Sequence, residues 1–153
     1  MSANIEKLYQ EVILDHNRNP KNFREIEDAT HVQEGHNPLC GDHLHIYLKV
    51  DKDSNTITDI SFKGEGCAIS KASSSMMTQR LKGMDLTTAK KTFSEFHELL
   101  KGTLNPEKDN HDLGKLQIFA GIWQYPSRVK CASLAWHSFH SAIQGDNAPV
   151  KTE

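Results

Sequence analysis

Three cysteines, Cys40, Cys67 and Cys131, are the residues of this chain best equipped for chemistry. An odd, small number argues against a disulfide framework, which needs pairs and an oxidising compartment. Cys40 stands in Asn37-Pro38-Leu39-Cys40-Gly41-Asp42, where Gly41 permits a tight turn that brings Asp42 to the side of Cys40. Cys67 follows Gly64-Glu65-Gly66, and Cys131 comes shortly after Pro126-Ser127. Both positions read as helix starts, with Cys131 in the first turn of its helix. Helix N-termini favour negative charge and lower a thiol's pKa. Three thiolates and a carboxylate are a sufficient donor set for tetrahedral zinc. Such a site carries net negative charge, and Arg128 and Lys130 are placed just before Cys131 to offset it. A carboxylate is also a harder, more exchangeable zinc ligand than a fourth thiolate.

The same residues have a plainer reading. Cysteine is among the most buried residue types, and separations of 27 and 64 residues match no standard zinc finger. Placement at turn edges favours ligation, because core cysteines sit more often in mid-helix or mid-strand. The residues by themselves leave packing and ligation both open. The nine histidines need similar weighing. His43 and His45 share one face of a strand, and His137 and His140 lie one turn apart on a helix. Either pair could take a metal in principle, but half-exposed surface histidine is the commoner fate. A Cys/His hydrolase dyad of Cys40 with His36 or His43 lacks any recognisable oxyanion motif. Ser73-Ser74-Ser75 reads as a tightly packed small-residue surface, and Met76 and Met77 as core or partner surface. Trp123-Gln124-Tyr125-Pro126 reads first as core packing near Cys131 and second as a docking cluster.

Elements that position these residues follow from periodicity. Ile5, Leu8, Tyr9, Val12 and Ile13 have the spacing of one helix face, predicting a helix from about Asn4 to His16. Asn19-Pro20 ends it. A short strand is possible near Thr30–Gln33. Leu44, Ile46, Leu48 and Val50 alternate with polar residues, and Thr58, Ile60 and Phe62 alternate on a return strand after a turn at 51–55. Helices are expected over Ala68–Leu81, after an Asp85 N-cap, over Leu113–Gln124 up to Pro126, and from about Arg128 to Ile143. Strands first and helices after predict an α+β domain: a small antiparallel sheet of about three strands with helices on one face. Residues 1–145 form the single domain, and 146–153 a flexible tail.

Composition bounds the function. A chain of 153 residues can bury roughly 70% of its unfolded surface. Eighteen basic against twenty acidic residues leave no excess to draw it onto nucleic acid. No apolar stretch is long enough for a membrane span, and no signal segment opens the chain. A cytoplasmic, reduced protein is the expectation.

These motifs together resemble the U-type iron–sulfur assembly family, which comprises IscU, the NifU N-terminal domain and SufU. The resemblance runs through Leu8-Tyr9-Gln10-Glu11, Asp15-His16, Asn19-Pro20 and Asn37-Pro38-Leu39-Cys40-Gly41-Asp42. It continues through Phe62-Lys63-Gly64-Glu65-Gly66-Cys67-Ala68-Ile69-Ser70, Ala72-Ser73-Ser74-Ser75 and Arg128-Val129-Lys130-Cys131-Ala132, covering about residues 5–145. The family's three cysteines and its Cys-Gly-Asp aspartate fall on Cys40, Cys67, Cys131 and Asp42. IscU-type scaffolds carry histidine before the third cysteine; here the residue is Lys130. The segment Asp85–Asp112 is also longer than the IscU pattern requires, and both features resemble SufU. Leu39 departs from the small or polar residue expected before Cys-Gly-Asp.

The resemblance implies a zinc-dependent sulfur acceptor, in which Cys40, Asp42, Cys67 and Cys131 hold Zn²⁺. Its implied partner is a SufS-type cysteine desulfurase, one of whose groups replaces Cys40 on the metal when the two proteins dock. Cys40 then takes the persulfide sulfur, Arg128 stabilises thiolate charge or contacts the partner, and downstream iron–sulfur scaffold proteins receive the cargo. A monomer is implied on the same grounds. Two rival readings are a scaffold assembling a [2Fe–2S] cluster on the same ligands and a structural zinc domain serving only interaction.

Overall fold

The computed structural model describes residues 2–145 and 148–152. The chain opens with helix α1 (Ser2–Arg18), followed by strands β1 (His31–Asn37), β2 (Asp42–Asp51) and β3 (Thr56–Glu65). Helices α2 (Ala68–Leu81) and α3 (Leu86–Lys101) come next, then two 3₁₀ turns, helix α4 (Pro126–Gln144) and a short strand β4 (Val150–Lys151). The sheet order is β3-β2-β1-β4. The first three strands are antiparallel, as alternation predicts, while β4 adds to β1 in parallel. The sheet is therefore four-stranded and mixed, where about three antiparallel strands were expected. A parallel edge strand needs a long crossover, and α4 supplies it. Residues 146, 147 and 153 of the expected tail lie outside the described residues. Near β4, the Gln33 side chain donates to the Ala148 carbonyl at 2.7 Å, and the Thr152 N–H to His36 at 3.1 Å.

β2 shows why one face of the sheet is dry. Leu44, Ile46 and Leu48 are fully buried under the helices, while His43, His45, Tyr47 and Lys49 alternate toward the other side. α4 packs on β1, α2 on β3, and α1 on α2. In α1, Ile13 is buried and Tyr9 and Val12 flank the core; Ile5 and Leu8 lie outside the residues with described side chains. The serine run packs tightly as expected but forms no surface, since all three side chains are buried. Ser73 donates to the Ala132 carbonyl at 2.6 Å and accepts from the Trp136 indole, while Ser75 bonds the buried His16 ring at 2.7 Å. Small hydroxyls let α1, α2 and α4 approach closely while each stays hydrogen-bonded. Met76 and Met77 are core.

Three elements differ from the sequence reading. Segment 113–124 is two 3₁₀ turns, Gly114–Phe119 and Ile122–Gln124, separated at Gly121, whose φ is +91°. Pro126 does more than stop that segment: it occupies the first turn of α4, where its missing N–H costs nothing. Trp123 and Tyr125 are more than half exposed, so the expected core packing of this aromatic pair near Cys131 is not formed, and it is the neighbouring Ile122 that is buried. Apolar type alone cannot show which side of a 3₁₀ turn is covered.

Gly64 fixes the end of β3 that delivers Cys67. Its φ is +134°, and a Cβ there would sit 2.1 Å from the His43 carbonyl oxygen and 2.9 Å from Leu44 Cα. Both obstacles are backbone, so no rotamer change relieves them. Gly64→Ala is expected to cost roughly 2–4 kcal/mol, read as a lowered denaturant midpoint at unchanged slope. A wild-type midpoint would refute this account of the strand end.

Candidate metal centre

The four-residue turn at 38–41 joins β1 to β2, with Gly41 at φ +71° as the turn demands. The residues flanking it, Asn37 and Asp42, are a directly opposed pair and are both completely buried. Cys40 is left exposed at the tip. Facing the turn from the other side are the N-terminus of α2 and the second turn of α4. Cys67 is the N-cap of α2, its sulfur accepting the Ser70 N–H at 3.4 Å. Cys131 is buried in α4.

The ligand atoms of Cys40, Asp42 and Cys131 lie within 4.8 Å of one another. Cys131 Sγ lies 3.1 Å from Cys40 Sγ, and the Cys131 thiol hydrogen-bonds Cys67. Asp42 Oδ1 accepts the Cys67 N–H at 2.8 Å, which ties the hairpin to the start of α2. Of the four residues proposed as ligands, Cys40, Asp42 and Cys131 thus converge, and Cys67 adjoins them through Asp42 and Cys131 with its sulfur outside that mutual 4.8 Å group. Asn37 was not anticipated as a site residue. Its Nδ2 donates to Asp42 Oδ2 at 3.3 Å and to Cys131 Sγ at 3.6 Å, while its Oδ1 is buried without a partner. The available signal was its position opposite Asp42 across a four-residue turn.

Protonation follows expectation at Cys67 and departs from it at Cys131. Cys67 is held down to about 7, chiefly by the hydrogen bond from Cys131, with the Ser70 N–H assisting against burial. Cys131 is pushed up, first by that same bond and then by burial. α4 begins at Pro126, so Cys131 lies one turn further in than the sequence suggested. There its own N-terminal dipole is spent on residues 126–129, because the effect fades within the first turn. In the metal-free chain Cys67 therefore carries the charge and Cys131 the proton. Alkylation of metal-free protein should rise through pH 7 at Cys67 while Cys131 stays unmodified, with peptide mass mapping as the measure. Equal labelling of both thiols would contradict the assignment.

A groove of about 600 Å³ opens onto these sulfurs. Tyr9, Ile13 and Leu14 of α1 form one wall, and Ser127 and Arg128 of α4 form the other. The Arg128 guanidinium hydrogen-bonds the Tyr9 hydroxyl and lies 5.6 Å over the Tyr125 ring. It is thereby held at the rim, beside the thiols. Burial raises the Tyr9 pKa, and Arg128 partly offsets that. His36 and His43 fall on the opposite face of the sheet, so neither forms a dyad with Cys40 there. His140 stacks on the Phe93 ring at 4.5 Å and His137 meets it edge-on at 5.6 Å, which is ring packing rather than ligation.

The donor set fits a soft or borderline cation. Two sulfurs and a carboxylate converge with a third thiol beside them, and thiolate with carboxylate suits zinc or iron. No helix among the described residues is long and apolar enough to cross a membrane.

Comparison with known proteins agrees with this architecture. Residues 8–132 match the NifU-like N-terminal domain. The chain is 39% identical over 142 residues to the zinc-dependent sulfurtransferase SufU of Bacillus subtilis, covering 93% of each. It is 37% identical to the iron–sulfur cluster assembly scaffold protein IscU of Streptococcus pyogenes, over 93% of this chain and 86% of that one. Among solved structures, a SUF-system scaffold from Fervidobacterium islandicum superposes with a TM-score of 0.79 at 33% identity, covering 87% of this chain and 94% of that one. The three-thiol, one-carboxylate cluster on this α+β frame thus marks the chain as belonging to the NifU-like N-terminal domain family, as a SufU-type member of its iron–sulfur cluster assembly proteins.

Proposed function

We propose that this protein is a zinc-dependent sulfur acceptor that takes persulfide sulfur from a pyridoxal-phosphate cysteine desulfurase of the SufS type. The observation that carries the reading is the unequal exposure of the cluster. Cys40 is exposed on a turn, whereas Cys131 and Asp42 are buried and Cys67 is fastened as a helix cap. Cys40, Asp42, Cys67 and Cys131 would hold Zn²⁺. When bound, the ion stabilises thiolate charge without redox chemistry of its own.

The chain's own part in the reaction is a thiol–persulfide exchange. The Cys40 thiolate attacks the terminal sulfur of the donor's R–S–SH; the S–S bond breaks, R–S⁻ leaves, and Cys40–S–SH forms. No external oxidant is required. Arg128, held at the groove rim by Tyr9 and Tyr125, offers a fixed positive charge to the anionic donor and leaving group. The groove walled by Leu14 and the exposed Leu39 beside Cys40 suit contact with the desulfurase. The reading extends to a cytoplasmic monomer that passes sulfur on to an iron–sulfur scaffold.

The similarity to the Bacillus subtilis sulfurtransferase supports zinc, and the similarity to IscU scaffolds supports the rival reading, a [2Fe–2S] cluster on the same donors. Anaerobic purification with metal analysis and a visible spectrum separates them. About one zinc per chain and a colourless protein are expected. Stoichiometric iron and sulfide with a coloured spectrum would favour the scaffold.

A further inference from the structure

The β1–β2 hairpin has a second chemically loaded face, turned away from the helices. Adjacent residues of a strand point to opposite sides, so Asp42 faces the thiols while His43 faces out. Cross-strand register sets His36 opposite His43 and Glu34 opposite His45. The ligand atoms of Glu34, His43 and His45 come within 4.8 Å of one another. Ring centroids of His43 and His45 are 5.3 Å apart, and those of His36 and His43 5.5 Å. Glu34 already hydrogen-bonds His43 Nε2. Across β2 on the other side, Glu65 pairs with His43 and Lys63 with His45, but the Lys63 ammonium lies 4.6 Å over the Phe23 ring.

We propose that this outer face of the hairpin is a metal site of its own, in which Glu34, His43 and His45 coordinate a divalent late first-row ion and His36 supplies a fourth donor. Imidazole with one carboxylate is the donor set such ions prefer, in contrast to the thiol-rich cluster on the inner face. Metal–nitrogen and metal–oxygen bonds of roughly 2.0–2.2 Å place tetrahedral ligand atoms about 3.4 Å apart. The side chains of Glu34, His43 and His45 need close by at most about 1.4 Å, and His43 and Glu34 are half-exposed and can do so. The rigid ladder beneath them fixes the Cβ positions, so most of the geometry exists before the ion arrives. Among the described residues the other imidazoles lack this convergence; His97, His137 and His140 surround the Phe93 ring instead.

The test uses full-length protein already carrying one zinc per chain, so that the thiols are occupied. Ni²⁺ is added in substoichiometric steps while imidazole nitrogen–proton spectra are recorded, and bound nickel is counted by equilibrium dialysis. One nickel per chain is expected, with the signals of His36, His43 and His45 broadened before those of His97, His137 and His140. His45→Gln should weaken nickel binding roughly tenfold or more, and Glu34→Gln severalfold, with the zinc count unchanged in both. Both substitutions are on the solvent face, and circular dichroism confirms that the variants fold. Uniform broadening of all histidines, no nickel retained, or wild-type affinity in both variants would overturn the proposal. Nickel bound only with loss of zinc would do so too, by placing the ion at the thiols.

Discussion

Cys40→Ala should abolish sulfur acceptance while leaving the fold untouched. The thiol stands exposed at the tip of a four-residue turn, and the buried group it touches, Cys131, keeps Cys67 and the Ser127 carbonyl as partners. Stability should stay within roughly 0.5 kcal/mol of wild type, as for a surface substitution. Activity should behave quite differently. If Cys40 is the group that attacks, desulfurase turnover supported by the variant should fall roughly 100-fold or more, toward the rate without acceptor. Mass spectrometry of wild-type protein after reaction with desulfurase and cysteine should find one added sulfur atom on Cys40, and none on the variant. Cys67 and Cys131 cannot readily substitute, since the first caps α2 and the second is buried in α4. Turnover stimulated equally by Cys40→Ala, with no persulfide on Cys40 of wild type, would sink the transfer mechanism and leave scaffold or structural roles.

Asp42 presents the second large effect, and two substitutions divide it. The carboxylate has no exposure and accepts both the Cys67 N–H and an Asn37 amide hydrogen. Asp42→Ala leaves those two donors unpaired in the interior, at a cost of roughly 2–5 kcal/mol. Asp42→Asn is nearly isosteric and keeps an acceptor for the Cys67 N–H. Its new amide hydrogen can be accommodated by rotating the Asn37 amide, whose oxygen has no partner at present. The asparagine variant should therefore unfold within about 1–2 kcal/mol of wild type, because one neutral hydrogen bond replaces a charged one. Zinc affinity should nonetheless drop on the order of 10–100-fold or more in chelator competition, since an amide is a poor substitute for a carboxylate ligand. Equal zinc affinity in wild type and Asp42→Asn would remove Asp42 from the ligand set and reduce it to a brace for Cys67.

Much of this molecule was legible from residue order. Alternation in 44–50 and 58–62, the Asp85 cap and the small-residue helix after Gly66 are local signals, set by side-chain periodicity and backbone sterics within a few residues. The structure retains each of them: Asp85 accepts the Thr88 N–H at 3.1 Å, and Cys67 caps α2. The motifs around the three cysteines, taken together, also marked the family. Segment 113–124 was not legible, because its apolar residues suit a helix while Gly121 at positive φ divides it into 3₁₀ turns. β4 was not legible either, since a two-residue edge strand has no periodicity and exists only because β1 offers it an unpaired edge.

The sequence by itself determined that Cys40 and Asp42 would stand at a turn and Cys67 would start a helix on an α+β domain, because turn chemistry and capping act over short range; Cys131 it set one turn too early in α4. It also determined which thiol would be free, since Gly41 places Cys40 on a turn tip. Tertiary structure alone decided how the thiols share their protons. Packing α2 against α4 sets Cys67 and Cys131 within hydrogen-bonding reach, and that contact outweighs the helix dipoles on which the sequence argument relied. The role of Asn37 was likewise decided there, because its amide bridges groups 5 and 94 residues away in the chain. The same pleat that turns Asp42 inward turns His43 outward, so one hairpin presents sulfur and carboxylate on one side and imidazole on the other.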